Sequence, residues 1–64
     1  MKLFVLIENE EDLYIEECDN FVNAEKLAKR NIERLAERYG QLAFDFFIQD
    51  DFSMPIIYKF NVKL

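Results

Sequence analysis

The side chains that perform most protein chemistry are scarce in this sequence. It contains no histidine, which is the residue that most often transfers protons near neutral pH, and Cys18 is its single cysteine. One cysteine without histidine forms neither a zinc site nor an internal disulfide. A glycine-rich phosphate-binding loop is excluded because Gly40 is the single glycine. We therefore expect a protein with no enzymatic activity, no cofactor and no metal.

Acidic side chains are the most abundant polar groups, with 13 Asp and Glu against 8 Lys and Arg and a net charge of −5. Most of them fall before residue 20, on a segment that reads as a hairpin. The candidate partner-binding acids there are Glu8, Glu10, Glu11, Asp12, Glu16 and Glu17. The spacing of a calcium-binding loop is absent. Two interpretations stay open: the acids mimic phosphates and enter a basic groove on a partner, or they supply solubility and protect a sheet edge.

Basic side chains recur at every fourth position along the predicted helix. They are Lys26, Arg30, Arg34 and Arg38. Such a ridge could bind the phosphates of a nucleic acid. It could equally be a solvated helix face whose long side chains cover apolar surface. We favour the second interpretation and expect no nucleic-acid binding, because the net negative charge opposes binding of a polyanion.

Two smaller features have a structural explanation. Asp50 and Asp51, with Asp45 nearby, would be well solvated in an open loop, so they predict a turn rather than a pair of catalytic acids. Cys18 reads as a half-buried strand residue, since neighbouring acids disfavour the thiolate.

The helix is predicted over residues 20–39. Asn20, or Asp19 before it, is a suitable N-cap, and Gly40 suits the left-handed position that ends a helix. At 100° per residue one face is apolar. The residues of this face are Phe21, Ala24, Ala28, Ile32, Leu35 and Tyr39, flanked by Leu27 and Ala36.

Strands are predicted on both sides of the helix, at about residues 2–7, 13–18, 42–49 and 56–63, because apolar and polar residues alternate or β-favouring residues cluster there. Short polar connections make each pair an antiparallel hairpin. The chain of 64 residues therefore predicts a single α+β domain of ββαββ order. Its one helix packs on one face of a four-stranded antiparallel sheet.

Alternation divides the strand residues between the two faces of this sheet. The face expected under the helix holds Leu3, Val5, Ile7, Leu13, Ile15, Leu42, Phe44, Phe46, Ile48, Ile56, Tyr58, Phe60 and Val62. The open face is expected to hold Lys2, Phe4, Leu6, Tyr14, Glu16, Cys18, Ala43, Asp45, Phe47, Ile57, Lys59 and Asn61. The open face is too apolar for a fully solvated sheet, which indicates a contact surface.

The candidate contact residues are therefore apolar as well as acidic. On the open face they are Phe4, Leu6, Tyr14, Phe47 and Ile57, joined by Phe52 and Met54 of the loop before the last strand. The two loop residues must either fold back onto the sheet or meet a partner. A second copy of the chain is the simplest cover for such a face, so we expect a homodimer with Phe4 and Phe47 near its centre.

Together these features predict a small acidic protein-binding module, a regulator or inhibitor of the kind that phages encode, which acts by occupying a partner surface. The alternatives are a nucleic-acid-binding module that uses the basic ridge and a purely structural, self-assembling subunit. No apolar run is long enough to span a membrane, and the first strand lacks the cleavage site of a signal peptide. With one cysteine and no disulfide, we expect a cytoplasmic protein.

Overall fold

The computed structural model describes residues 1–64 and has one α-helix packed on one face of a four-stranded antiparallel sheet. The elements are β1 (Lys2–Val5), β2 (Leu13–Glu17), α1 (Phe21–Tyr39), β3 (Ala43–Gln49) and β4 (Tyr58–Lys63). The predicted α+β class and ββαββ order are confirmed.

Both ends of α1 are fixed by the residues that the sequence indicates. The Asn20 side chain accepts a hydrogen bond of 2.8 Å from the backbone amide of Asn23, whose own side chain accepts one of 3.1 Å from the amide of Asp19. Gly40 adopts a φ of 69° and donates its amide to the Ala36 carbonyl over 2.8 Å. A left-handed residue without Cβ ends the helix at little conformational cost.

The strands lie in the order β2-β1-β3-β4, so β1 and β3 are central and β2 and β4 form the edges. Residue Lys2 lies opposite Gln49, and Val5 lies opposite Phe46. The end of β3 therefore lies beside the start of β1, and this end of the sheet also carries the first turn of α1, where the rings of Phe21 and Tyr58 are 5.0 Å apart. The 50–57 connection is at this end, whereas the 8–12 turn is at the other.

A β-bulge in β2 changes which side chains face the helix. Leu3 lies opposite Glu16 whereas Phe4 lies opposite Tyr14, so Ile15 is an additional residue on β2. Because an extra residue reverses the alternation that follows it, Glu16 lies on the helix side of the sheet. Cys18 belongs to the core between sheet and helix. The prediction that Glu16 and Cys18 are on the open face is therefore wrong.

The core lies between α1 and the sheet. Its buried members are Leu3, Val5, Ile7, Cys18, Ala24, Leu27, Ala28, Ile32, Leu35, Phe44, Phe46, Ile48 and Val62. Three residues assigned to the covered face are exposed instead: Leu13, Leu42 and Ile56. Leu13 is the first residue of the edge strand β2, and Leu42 and Ile56 lie outside β3 and β4, which are shorter than the alternation suggested. Alternation continues in sequence beyond the point where a neighbouring strand or the helix can cover the side chain.

Candidate functional site

Four aromatic rings pack together on the open face of the sheet. Phe4 stacks on Phe47 with ring centroids 5.0 Å apart, and Phe52 and Tyr14 each meet Phe4 edge-on at 5.6 Å. Phe4 is 5% exposed and Phe47 is 2% exposed. The expectation that these two rings form an exposed patch is wrong. The loop before β4 folds back over the sheet, so that Phe52 of the same chain covers Phe4, a ring that a second copy was expected to cover.

The loop that carries Phe52 is held by short polar contacts. The Asp51 side chain accepts the Phe52 amide at 2.8 Å, and the Asp51 carbonyl accepts the Met54 amide at 3.1 Å. Gln49 at the end of β3 donates its side-chain amide to the Met54 carbonyl over 2.6 Å. The Lys2 ammonium lies 5.5 Å from the centroid of the Phe52 ring. Asp51 thus acts in turn formation, as the sequence predicts, and Phe52 lies on the cluster while remaining 62% exposed.

Most exposed apolar side chains lie at one end of the molecule. Of the ten large apolar residues that are exposed, six belong to the first turn of α1 or to the 50–57 connection. We call these six the apolar end: Phe21, Val22, Phe52, Met54, Ile56 and Ile57. Tyr14 continues it along the open face, since its ring is 5.7 Å from that of Phe52. Leu6, the remaining predicted contact residue of the open face, is half-buried.

The sequence indicates only part of the apolar end. Phe52, Met54 and Ile57 were predicted as contact residues, and all three are exposed. Phe21 and Ile56 were assigned to buried faces. A signal was present in both cases, because Phe21 occupies the first helical position and Ile56 follows Pro55, which cannot donate a ladder hydrogen bond. Residues at such boundaries lie beyond the reach of the opposing element.

The predicted acids divide into a paired group and a free group. Glu16 accepts a hydrogen bond of 2.9 Å from Arg30, and Glu17 binds the Lys2 ammonium and lies 3.7 Å from the N-terminal amino group. The hydrogen bond from Lys2 lowers the pKa of Glu17 and raises the pKa of Lys2 itself. The other four candidate acids make no ion pair and lie together in an exposed stretch that we call the acidic turn: Glu8, Glu10, Glu11 and Asp12.

The acidic turn is far from the apolar end. It follows β1, whereas the 50–57 connection follows β3, and antiparallel pairing of these strands sends their C-terminal ends in opposite directions. Asn9 in this turn has a φ of 64°, a left-handed conformation that asparagine tolerates. The two groups of predicted contact residues therefore form separate surfaces rather than one continuous patch.

The basic ridge is exposed but partly neutralised. Arg30 pairs with Glu16, and Arg34 donates to the side chain of Asn31 over 2.6 Å. Arg38 lies 5.5 Å from the ring centroid of Tyr39 and lines an open groove together with Glu10 and Glu11 of the acidic turn. Lys26 is exposed without an ion pair. Acids therefore lie close to two of its four members.

The remaining reactive groups are in protected settings. Burial raises the pKa of the Cys18 thiol. This thiol donates a hydrogen bond of 3.6 Å to the Met1 carbonyl. The Tyr58 hydroxyl donates to Glu25 over 3.1 Å, and this hydrogen bond raises the pKa of Tyr58. Asp45 accepts a hydrogen bond of 2.9 Å from Asn61. No group of three or more Cys, Asp or Glu side chains has an arrangement that could hold a metal ion.

Comparison with known proteins gives no relative, since no protein-family model, no curated protein and no solved structure matches this chain. No helix of the protein combines the length and the hydrophobicity needed to cross a lipid bilayer.

Proposed function

We propose that this chain is a small, non-enzymatic protein-binding module that regulates or inhibits a partner by covering part of its surface with the apolar end. The observation that carries the proposal is the concentration of exposed Phe, Met and Ile side chains on the first turn of α1 and the 50–57 connection. Scattered apolar residues are normal on a protein surface, but a cluster of them usually marks a contact site.

Aromatic and aliphatic side chains of the apolar end would supply most of the energy of association. Phe52 is 62% exposed and Ile56 is 50% exposed. Association that buries such side chains gains roughly 25 cal/mol for every Å² of apolar surface removed from water. Phe52 already lies against Phe4, so it loses less side-chain entropy on binding than a freely mobile side chain would. A few anchors of this kind supply most of the affinity in a typical interface.

The acidic turn has a different part in this proposal. Its four acids are free of ion pairs, so their field acts on an approaching partner, while Glu16 and Glu17 are already neutralised. Long-range attraction of this kind raises the association rate more than the final affinity. Mimicry of nucleic-acid phosphates, if the partner has a basic groove, would involve this turn alone.

The partner in this proposal could also be a second copy of the chain, which would give a homodimer. Because Phe4 and Phe47 are covered within the chain, two copies would meet through the apolar end rather than through those rings. Light scattering over a range of protein concentration tests this. A mass near 7.7 kDa at all concentrations would leave the surface to a different protein.

The test of the proposal is capture of the partner from cells of the source organism with matched surface variants. Ile56→Ser removes an anchor from the apolar end, and Leu42→Ser is the control, since Leu42 is 64% exposed at the opposite end. We expect Ile56→Ser to lose the partner and Leu42→Ser to retain it, with both variants folded by circular dichroism. Equal retention by both variants would contradict the proposal.

A further inference from the structure

A second surface, which adjoins the apolar end at Phe21, is the outer edge of β4. We propose that this edge binds an extended segment of a partner protein in which acidic residues alternate with apolar ones, so that the segment becomes a fifth strand of the sheet. Addition of a strand to an exposed edge is a common mode of peptide recognition, in which the main chain gives affinity and the side chains give specificity.

The backbone of β4 is free to accept such a strand. The Leu64 amide donates to the Leu42 carbonyl over 2.7 Å, and the Leu6 amide donates to the Asp45 carbonyl over 2.9 Å. Even-numbered residues of β3 therefore bond to β4, and odd-numbered ones bond to β1. By the same alternation, the amides and carbonyls of Lys59, Asn61 and Lys63 point away from the sheet.

The two edges of the sheet are not equivalent. β2 is a strand of five residues interrupted by the bulge at Ile15, and bulges protect an edge against pairing. β4 is a strand of six residues whose register with β3 has no interruption from Ala43–Ile48. Of the two edges, β4 is the one whose backbone geometry suits an additional strand.

Side chains on the open side of β4 define the charge of the segment. Lys59 and Lys63 are exposed and make no ion pair. The neighbouring acid on β3, Asp45, is bound by Asn61. Acidic side chains on the added strand would lie opposite the two lysines, where opposite charges across neighbouring strands are favourable.

Side chains on the helix side define the apolar positions. Tyr58 and Phe60 are stacked with ring centroids 5.4 Å apart, and both are only partly buried. Phe21 extends this row beyond Tyr58. Apolar side chains of the added strand would cover these rings, so the expected sequence of the segment alternates Glu or Asp with Val, Ile or Leu.

Charge also argues against a second copy at this edge. Antiparallel pairing of two β4 strands about Asn61 would place Lys59 of one copy opposite Lys63 of the other. Like charges directly opposite each other are destabilising. A heterologous acidic segment avoids this repulsion.

The experiment uses the whole chain and a synthetic peptide of about eight residues that alternates Glu with Val, a length typical of strands. Hydrogen exchange of the free protein should be fast at the amides of Lys59, Asn61 and Lys63, and saturating peptide should slow it at these three positions. A matched peptide with Lys in place of Glu should bind at least about tenfold more weakly.

Charge exchange provides the specific control. Lys59→Glu with Lys63→Glu should reverse the preference, so that the Lys peptide binds better than the Glu peptide. Lys26→Glu with Lys29→Glu, on the exposed side of α1, makes the same change in net charge and should leave the preference intact. Each of three results would overturn the proposal. The Glu peptide does not bind, it binds without slowing hydrogen exchange in β4, or both double variants change the peptide preference equally. If Lys59→Glu with Lys63→Glu does not fold, Lys59→Gln with Lys63→Gln replaces it and should abolish the preference for the Glu peptide.

Discussion

Replacement of Phe47 by alanine tests whether the open face is a second core within the monomer. Phe47 is 2% exposed and stacks on Phe4, and Phe4 in turn meets the Phe52 ring edge-on. Removing a buried phenylalanine costs about 3–5 kcal/mol, because transfer energy and contacts around the resulting cavity are both lost. A domain of 64 residues has a stability of about 3–10 kcal/mol in total. We therefore expect Phe47→Ala to lose a large share of this stability and to unfold at a much lower urea concentration than the parent protein.

The assay is urea unfolding followed by circular dichroism, with Ile57→Ala as the matched control. Ile57 lies outside β4 in the same half of the molecule and is 44% exposed, so its truncation should change the free energy of unfolding by less than about 1 kcal/mol. A Phe4→Ala variant and the double variant complete a cycle, in which stacked rings contribute about 0.5–1.5 kcal/mol of coupling.

A result in which Phe47→Ala is as stable as Ile57→Ala would refute this reasoning. It would mean that the aromatic rings of the open face gain little from the cover of Phe52. Phe47 would then have to be treated as a surface residue, as the sequence suggested.

Four further predictions concern the rest of the fold. Leu35→Ala, at a position 2% exposed against the sheet, should lower the free energy of unfolding by about 2–5 kcal/mol in the same urea assay. Asn20→Ala should lower it by about 1 kcal/mol, because the amide of the third helical residue loses its cap, and Asn20→Asp should restore it. The pKa of Glu17 is lowered on folding, so its pairing with Lys2 stabilises the protein at pH values above the ordinary pKa of a glutamate. This stabilisation is lost as the pH falls through the lowered pKa. Glu17→Gln should therefore make the free energy of unfolding depend less on pH in the acidic range. Cys18 should react slowly with iodoacetamide in the folded protein at neutral pH and rapidly in urea, because burial raises its pKa and restricts access.

The elements of this fold follow from local signals, which is why the sequence predicts them. Asn20 and Gly40 determine the ends of α1 through hydrogen bonds within a few residues, and the apolar stripe of the helix needs only one opposing surface. After Gly40 apolar residues recur at every second position instead of every third or fourth, and this change identifies the second hairpin. These features depend on neighbours in sequence.

The faces of the sheet depend on contacts that the sequence does not display. The bulge at Ile15 arises from the register between β1 and β2, and it moves Glu16 and Cys18 to the helix side. The burial of Phe4 depends on the path of a loop almost fifty residues away in sequence, whose Phe52 returns to the open face. Alternation alone assigns a side chain to a face but does not indicate what covers that face.

For the candidate site, the residue types were predictable from the sequence, but their positions relative to one another were not. Composition identified the acidic turn and the apolar loop, because four acids and the Phe52 and Met54 pair are visible as residue types. The sequence does not indicate that the acidic turn and the apolar loop lie at opposite ends of the molecule. This follows from the antiparallel pairing of β1 with β3, which directs the two connections away from each other.

Site-specific photocrosslinking tests the central claim most directly. A photoreactive amino acid at Met54 in the apolar end, and in a second variant at Leu42 at the opposite end, would be activated in cells of the source organism. Both positions are exposed, so both variants should fold. The proposed function predicts a discrete crosslinked product from position 54 that is absent at position 42 and is lost when Ile56→Ser is added. A product that forms equally from both positions, or one that survives Ile56→Ser, would contradict it.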